Sequence, residues 1–278
     1  MFDSHVALEA LGALLNAEVT SHQKLGSLRQ ARPPRAGRAQ HEPLSIPHFI
    51  TKLFQAHEAS QVLESNFLGI PSISPSCHVP PKPRVDLEDV ITGKCHIIDE
   101  EEFFDPKYNY DFTNIKDTKT FYRGGEKYER PCGWQRYALK VLDKYEDGNT
   151  WLGTRYRSTG SEPGEWPVSY HGTSKPGAEG IIEGGYEPGP RAMFGRGIYS
   201  TPLMSVASEY TFQKKFTSKK TGKTYEVILQ NRINPKYREK HNNDKYWLIP
   251  IPAGTSPSQE QVMVDRSIRP YGLLLKEV

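Results

Sequence analysis

The stretch SYHGT occupies residues 169–173, and GRGIYST follows it at residues 195–201. Both are predicted as short strands bounded by glycine. His171 precedes Gly172 and Thr173, and a glycine at a strand end lets backbone groups approach a flat ligand closely. The two stretches therefore predict a sheet whose strand ends form a binding site.

Two tyrosines and one acid further along extend this candidate site. Tyr199 ends GRGIY, and Tyr210 follows eleven positions later in SVASEYTFQ, which is predicted as a short helix. If the helix folds back, the two rings can sandwich a ligand ring, and stacking adds about 0.5–1.5 kcal/mol beyond burial. Glu260 precedes QVMVDRSI, which is predicted as a strand. An acid has no packing role there, so we expect it to point into a cleft.

The rest of the C-terminal region favours a sheet with few helices. The stretches TYEVILQNRI, YWLIPI and YGLLLKEV are rich in apolar and β-branched residues and predict strands. PGAEGIIEGG predicts a short helix closed by glycines. Many strands with two short helices predict an α+β fold for residues 166–278.

In this order, the motifs resemble the His-Tyr-Glu class of ADP-ribosyltransferases, which includes the poly(ADP-ribose) polymerase superfamily and the diphtheria-toxin group. FGRGIY (residues 194–199) and EQVMVD (residues 260–265) are similar to the polymerase branch, whereas SYHGT is similar to the toxin branch. The resemblance covers about 166–278. It implies a split β-sheet fold, NAD as the substrate without any metal, and ADP-ribosyl transfer with release of nicotinamide.

The resemblance also implies a role for each matched residue. His171 and Thr173 would contact NAD, with His171 on a ribose hydroxyl, and Gly172 would hold the carboxamide through its backbone. Tyr199 and Tyr210 would stack on the nicotinamide ring. Glu260 would accept a hydrogen bond from the nicotinamide ribose and stabilise its developing positive charge. His171, Tyr199 and Glu260 are the expected catalytic residues.

One position departs from the polymerase pattern. That branch has a serine eight residues after the motif tyrosine, and its hydroxyl meets the carboxamide. Here the position holds Ala207, as it does in the toxin branch. The group that recognises the carboxamide is therefore left open, and the backbone of Gly172 is one candidate.

Several functions fit these motifs. We expect mono-ADP-ribosylation of a protein acceptor. Poly(ADP-ribose) extension, transfer to nucleic acid, NAD hydrolysis by water, and binding of NAD or ADP-ribose without catalysis stay open. An RNA 2′-phosphotransferase shares the HGT motif, but GIY and a late glutamate are not its signature.

The N-terminal region, residues 1–84, is expected to hold two short helices joined by flexible segments. The first helix would run from a cap at Asp3 or Ser4 to about Glu18, and the second would follow Ser45. Between them, residues 24–40 carry five basic residues and no acid, which is typical of a mobile linker. The stretch 67–84 contains five prolines and predicts an extended tether, which places a domain boundary near residue 84.

Residues 85–165 are predicted to form an extension of the C-terminal sheet or an accessory lobe. RYALKVLDKY (residues 136–145) alternates apolar and polar positions and predicts a strand. YRGGEKYERPCGW (residues 122–134) has two interpretations. It can expose Arg123, Arg130 and Trp134 to a partner, or it can be a structured connection with its tryptophan in the core.

Charge is unevenly distributed along the chain, although the total is only +3. Residues 85–112 carry nine acidic and two basic side chains, whereas residues 167–278 carry sixteen basic and ten acidic ones. The positive C-terminal region suits the pyrophosphate of NAD. KKFTSKKTGK could in addition be a groove for an acidic or nucleic-acid acceptor, or simply a solvated loop. Its lysines are Lys214, Lys215, Lys219, Lys220 and Lys223.

Cysteine usage and hydropathy predict an intracellular protein. Cys77, Cys95 and Cys132 are widely spaced and form no CxxC pair, so neither a disulfide framework nor a zinc site is indicated. The sequence contains no run of 18 apolar residues, so no membrane span is predicted. The apolar stretch near the N-terminus contains Glu9 and lacks a basic start, so it does not resemble a signal peptide.

Overall fold

The chain combines α-helices and β-strands in several small sheets, which places it in the α+β class. The structure is a computed structural model. It describes residues 2–22, 41–68, 95–155, 158–172, 194–211 and 215–278, and for 41 and 59–68 the backbone alone. The basic linker, the helix predicted for PGAEGIIEGG, Thr173 and Lys214 lie outside the described residues.

Helices lie near both ends of the chain. Within the described residues the α-helices are α1 (Ser4–Leu15), α2 (Ile46–Leu68), α3 (Glu100–Phe103), α4 (Met204–Thr211) and α5 (Pro257–Ser267). Short 3-10 helices span Pro106–Tyr108 and Thr150–Leu152. No helix of the described residues combines the length and the apolar character needed to cross a membrane.

The strands of the N-terminal half are short. They are β1 (Glu18–Ser21), β2 (His41–Pro43), β3 (Cys95–Ile98), β4 (Tyr110–Asp111), β5 (Phe121–Arg123), β6 (Glu126–Tyr128) and β7 (Gln135–Ala138). The C-terminal strands are β8 (Val168–Gly172), β9 (Gly197–Ser200), β10 (Phe216–Thr217), β11 (Thr224–Ile233), β12 (Glu239–His241), β13 (Tyr246–Pro250) and β14 (Ile268–Glu277).

The main sheet is built around the antiparallel pair β11 and β14. β8 and β10 pair with the other edge of β11, while β7 pairs with β14 and β4 pairs with β7. Val227, Ile228 and Leu229 are fully buried in succession, which shows that both faces of the sheet are covered. The strands predicted for TYEVILQNRI, YWLIPI and YGLLLKEV are thus confirmed.

A second sheet, in the order β12-β13-β9, meets the main sheet where β8 and β9 end. The contact is a single antiparallel bridge between Tyr170 and Thr201, whose two N–H···O bonds measure 2.8 and 2.9 Å. This junction brings the two quoted motifs together, because one lies on each of the joined strands. Two smaller sheets, β1-β3-β2 and β5-β6, complete the described strands.

Helices α1 and α2 pack into the same hydrophobic core as the main sheet. Leu11, Leu14 and Phe49 are fully buried in this core together with Leu229 and Leu273, so each helix buries an apolar face. Helix α1 begins as predicted, with the Asp3 side chain accepting from the backbone N–H of His5. It ends earlier than Glu18 because Asn16 adopts a left-handed conformation and donates its N–H to the Gly12 carbonyl.

The strand predicted for QVMVDRSI is wrong, because this segment belongs to helix α5. Ser256 caps the helix with a capping box to Gln259, and Pro257 occupies the first turn. Glu260, Val264 and Ser267 are buried at helical spacing. The sequence Ser256-Pro257-Ser258-Gln259 has the pattern of a capping box and indicates the start of a helix. The apolar residues that follow it nevertheless favoured the prediction of a strand.

Residues 95–155 join the main sheet through a strand shorter than predicted. RYALKVLDKY contributes strand pairing only up to Ala138, and the chain then turns, with Asp143 at a positive φ of 59°. Trp134 is only 4% exposed and Arg123 is 5% exposed, so the core interpretation of YRGGEKYERPCGW is confirmed. The domain boundary near residue 84 stays a prediction, because residues 69–94 lie outside the described part of the chain.

The burial of α1 gives a stability test. Leu11→Ala should lower the free energy of unfolding by about 2–5 kcal/mol, because it removes a buried side chain and leaves a cavity. Urea unfolding measures the change. Leu142→Ala is the matched control: Leu142 is 39% exposed, and its loss should change stability by less than about 0.5 kcal/mol. An unchanged unfolding curve for Leu11→Ala would show that α1 does not belong to the core.

Candidate functional site

The joined ends of β8 and β9 place His171 directly beside Tyr199. His171 is only 8% exposed, and its Nδ1 lies 2.7 Å from the carbonyl oxygen of Tyr199. A carbonyl oxygen only accepts, so Nδ1 carries a hydrogen, and in the neutral ring Nε2 carries none. The backbone of one motif therefore sets the tautomer and ring orientation of the histidine in the other.

Gly172 is required by helix packing. A Cβ built on it would lie 2.4 Å from the carbonyl oxygen of Ala207 on α4. We expected this glycine to leave space for a ligand. On the side where a Cβ would lie, that expectation is wrong, because α4 fills the space. Ala207 is itself fully buried, which explains why a small residue occurs at the position where the polymerase branch has serine.

The two candidate stacking tyrosines are anchored by their hydroxyl groups. Tyr199 donates to the Gly195 carbonyl at 2.8 Å and accepts from the Phe194 N–H at 3.0 Å. Burial raises the pKa of the Tyr199 hydroxyl above its ordinary value. The hydroxyl oxygens of Tyr210 and Tyr246 lie 3.0 Å apart.

A narrow cleft lies between these groups, and it joins four of the predicted site residues. It is lined by Tyr170, His171, Gly172, Tyr199, Ser200, Thr201, Tyr210 and Tyr246. Its volume of about 30 Å³ is close to the share of one water molecule in the liquid. A ligand ring would therefore have to move the tyrosines apart.

A larger cavity lies beneath α2, and we call it the α2 cavity. It has a volume of about 210 Å³ and shares His171 and Tyr199 with the narrow cleft. Its lining comprises Ile50, Leu53, Phe54, His57, Glu58, His171, Gly195, Arg196, Gly197, Ile198, Tyr199, Asn231 and Ile268. Five of these residues come from a helix that sequence analysis assigned to a separate N-terminal region.

Arg196 is the most highly connected side chain at this site. Its Nε and Nη2 donate to the two carboxylate oxygens of Glu58 at 2.6 and 2.7 Å, and Nη2 also lies 2.7 Å from Oε1 of Glu260. Nη1 donates to the carbonyls of Ile251 and Pro252. The hydrogen bond to Glu58 is the largest cause that raises the pKa of the Arg196 guanidinium. The group is therefore a fixed charge that joins α2, β9 and α5.

Glu260 is buried at 5% exposure, but it does not open a strand. It lies in the first turn of α5, and its Oε2 also accepts from Gln55 of α2 at 3.4 Å. The expectation that this carboxylate points directly into the cleft is corrected: it stands behind Arg196, and Arg196 lines the α2 cavity. Two side chains of α2 hold it, Gln55 directly and Glu58 through Arg196.

Sequence reasoning missed the contribution of α2. The His57 ring stacks on the His171 ring, with centroids 5.5 Å apart and an interplanar angle of 19°. Ile50, Phe54 and Glu58 recur every four residues, so an acid continues the apolar face of one helix. Glu58 could have been found by the reasoning that singled out Glu260, namely that an acid next to apolar residues has no packing role.

The lysine-rich segment is paired with acids of this chain. Lys215 lies 3.5 Å from Glu226, Lys220 lies 2.8 Å from Asp3, and Lys223 lies 2.9 Å from Glu277. In addition, the backbone N–H of Lys219 donates to Glu9. These ion pairs neutralise much of the charge that an acidic acceptor would need.

No protein-family profile matches the chain, and no curated protein sequence matches it either. Within the described residues, no three histidine, cysteine, aspartate or glutamate side chains are grouped so that they could hold a metal ion. The site therefore has to be interpreted from its own geometry.

The contact between Gly172 and α4 is testable. Gly172→Val should destabilise the protein by about 1–3 kcal/mol, because the new side chain meets the backbone of α4, which cannot give way as a flexible side chain can. Thermal unfolding measures the loss. Gly160→Ala is the control, since its nearest contact would be 3.9 Å away. Equal melting temperatures for the two variants would contradict the described packing.

Proposed function

We propose that the chain is an NAD-dependent ADP-ribosyltransferase that releases nicotinamide and transfers a single ADP-ribose to a protein acceptor. One observation carries the proposal. The HG pair at residues 171–172, Tyr199 and Tyr210 lie in three separate stretches of the sequence, yet they meet at one cleft between β8, β9 and α4. The resemblance to the His-Tyr-Glu class requires this convergence.

The arrangement of strands supports an ADP-ribosyltransferase-like split sheet. Two sheets meet at the bridge between Tyr170 and Thr201, next to the cleft. A ligand bound there would contact residues from both sheets and from α4. This is the expected place for a nicotinamide ring that stacks on Tyr199 or Tyr210.

The proposed chemistry is cleavage of the N-glycosidic bond of NAD. Positive charge develops on the ribose as neutral nicotinamide leaves, and a nearby carboxylate stabilises that charge. His171 has its ring orientation set by the Tyr199 carbonyl, so its Nε2 can accept from a ribose hydroxyl. Glu260 would supply the carboxylate once substrate draws it away from Arg196.

The ion pair at Glu260 favours a second candidate, an NAD-binding module without catalysis. Arg196 and Gln55 engage both oxygens of this carboxylate. If they never release it, the cleft can hold NAD without stabilising the charge on its ribose. The two candidates therefore differ in a measurable property, the release of nicotinamide.

An assay with labelled NAD distinguishes the transferase from the NAD-binding module. The full chain should release nicotinamide and transfer label to protein, and Glu260→Gln should lower both rates by about 10²-fold or more while NAD binding persists. Chromatography and protein-bound label measure the two rates. Glu42→Gln is the control, because Glu42 also pairs with a residue of α2, Lys52, but is mostly exposed. Wild-type rates for Glu260→Gln would remove Glu260 from the mechanism, and NAD binding without nicotinamide release would identify the binding module.

A further inference from the structure

The α2 cavity adjoins the narrow cleft in which the proposed reaction would take place. It shares His171 and Tyr199 with the narrow cleft, so a group inside it would lie next to a ribose held by His171. Its walls are largely apolar and are formed by Ile50, Leu53, Phe54, Ile198 and Ile268. Such walls suit the hydrocarbon stem of a long side chain.

Asn231 places a buried polar side chain at the wall of the α2 cavity. The residue is fully buried and lines the cavity, and its Oδ1 has no hydrogen-bond partner among the described residues. Its Nδ2 makes one long bond, 3.4 Å, to the Leu229 carbonyl. Buried acceptors are nearly always paired, so this oxygen indicates a ligand that donates a hydrogen bond.

The strand that pairs with Asn231 on one side, β14, is irregular at the same place. The pairing of β11 with β14 shifts register between Gln230 and Asn231, opposite Pro270, which has no N–H to donate. The extra residue is Tyr271 of β14, whereas Asn231 keeps a regular partner, Ser169, on β8. The bulge therefore lies on the strand beside Asn231, and bulges are common next to active sites.

The charges at the cavity favour a cation over an anion. Glu58 and Arg196 are its charged lining residues apart from the histidines, and Glu260 stands behind Arg196. Two carboxylates thus share one guanidinium, which leaves the group one negative charge in excess. An acidic side chain would be repelled here, whereas a cationic one would be attracted.

We propose that the α2 cavity is the acceptor site of the transferase and that it takes an arginine side chain. This inference rests on the proposed function. The arginine stem would lie along the apolar walls, and its guanidinium would donate to Oδ1 of Asn231 and to Glu58. Arginine fits better than lysine, because its planar head is less strongly hydrated and can stack on Phe54 or on the paired imidazoles.

The reaction balances without an oxidant or a reductant. The bond between ribose C1 and the pyridine nitrogen breaks, and its electron pair leaves with neutral nicotinamide. A guanidino nitrogen of the acceptor forms the new bond to C1 and loses one proton. The carboxylate of Glu58 accepts that proton and passes it to solvent.

Peptides that differ at one residue test the acceptor class. The full chain is incubated with labelled NAD and a neutral peptide that contains one arginine, lysine, serine or glutamate, and nicotinamide release is followed in parallel. Label should enter the arginine peptide at least about tenfold faster than the others, in keeping with the charged hydrogen bonds that only it completes. Labelling of the glutamate or serine peptide while the arginine peptide stays unlabelled overturns this inference but keeps the transferase. Absence of nicotinamide release with every peptide overturns both.

Variants of Asn231 test the site itself. Asn231→Leu should raise the KM for the arginine peptide about tenfold, whereas Asn231→Asp, which keeps the size and adds a charge, should lower it. Binding of agmatine, a small guanidinium compound, is measured by NMR in the same variants, so the result does not depend on turnover. Glu42→Gln serves as the control. Equal agmatine affinity in wild type and both variants would exclude Asn231 from the acceptor site.

Discussion

The guanidinium of Arg196 holds together parts of the chain that are far apart in sequence. Arg196 immediately precedes β9. Its guanidinium binds Glu58 on α2, Glu260 on α5 and the carbonyl oxygens of Ile251 and Pro252, which follow β13. Because the planar group has five N–H donors in a fixed geometry, these partners are held in one relative position. The candidate site depends on this interaction, since α2 closes the cavity and α5 carries the carboxylate.

The covered main sheet makes this arrangement possible. β11 and β14 are buried on both faces, so helices have to pack against them, and α2 covers the side on which His171 and Asn231 line one cavity. A helix needed to bury the sheet therefore also forms one wall of the site. The core and the candidate site share the same helix, and removal of α2 would expose the core and the cavity together.

Local patterns predicted much of the fold and about half of the site. β8, β9, α4 and β11 were predicted because each has a short-range signature, a glycine boundary or a period of two or 3.6. Helix α5 was missed because its apolar residues read as a strand, although Ser256 and Gln259 form a capping box. Glu58 and Asn231 were missed for a different reason, since the value of each depends on a distant partner. Glu58 binds Arg196 across 138 residues, and Asn231 pairs with Pro270 of β14 next to a register shift.

The charge balance of the C-terminal region as a whole differs from the charge balance at the candidate site. The net positive C-terminal region suggested a surface for phosphates, but three of its lysines pair with Asp3, Glu226 and Glu277, so part of that charge is neutralised within the chain. At the cavity the balance is reversed, because two carboxylates face one guanidinium. Net charge over a hundred residues therefore does not describe the potential at a site of a few side chains. In the proposed acceptor site, selection would act at that shorter range, through Glu58, Asn231 and Arg196.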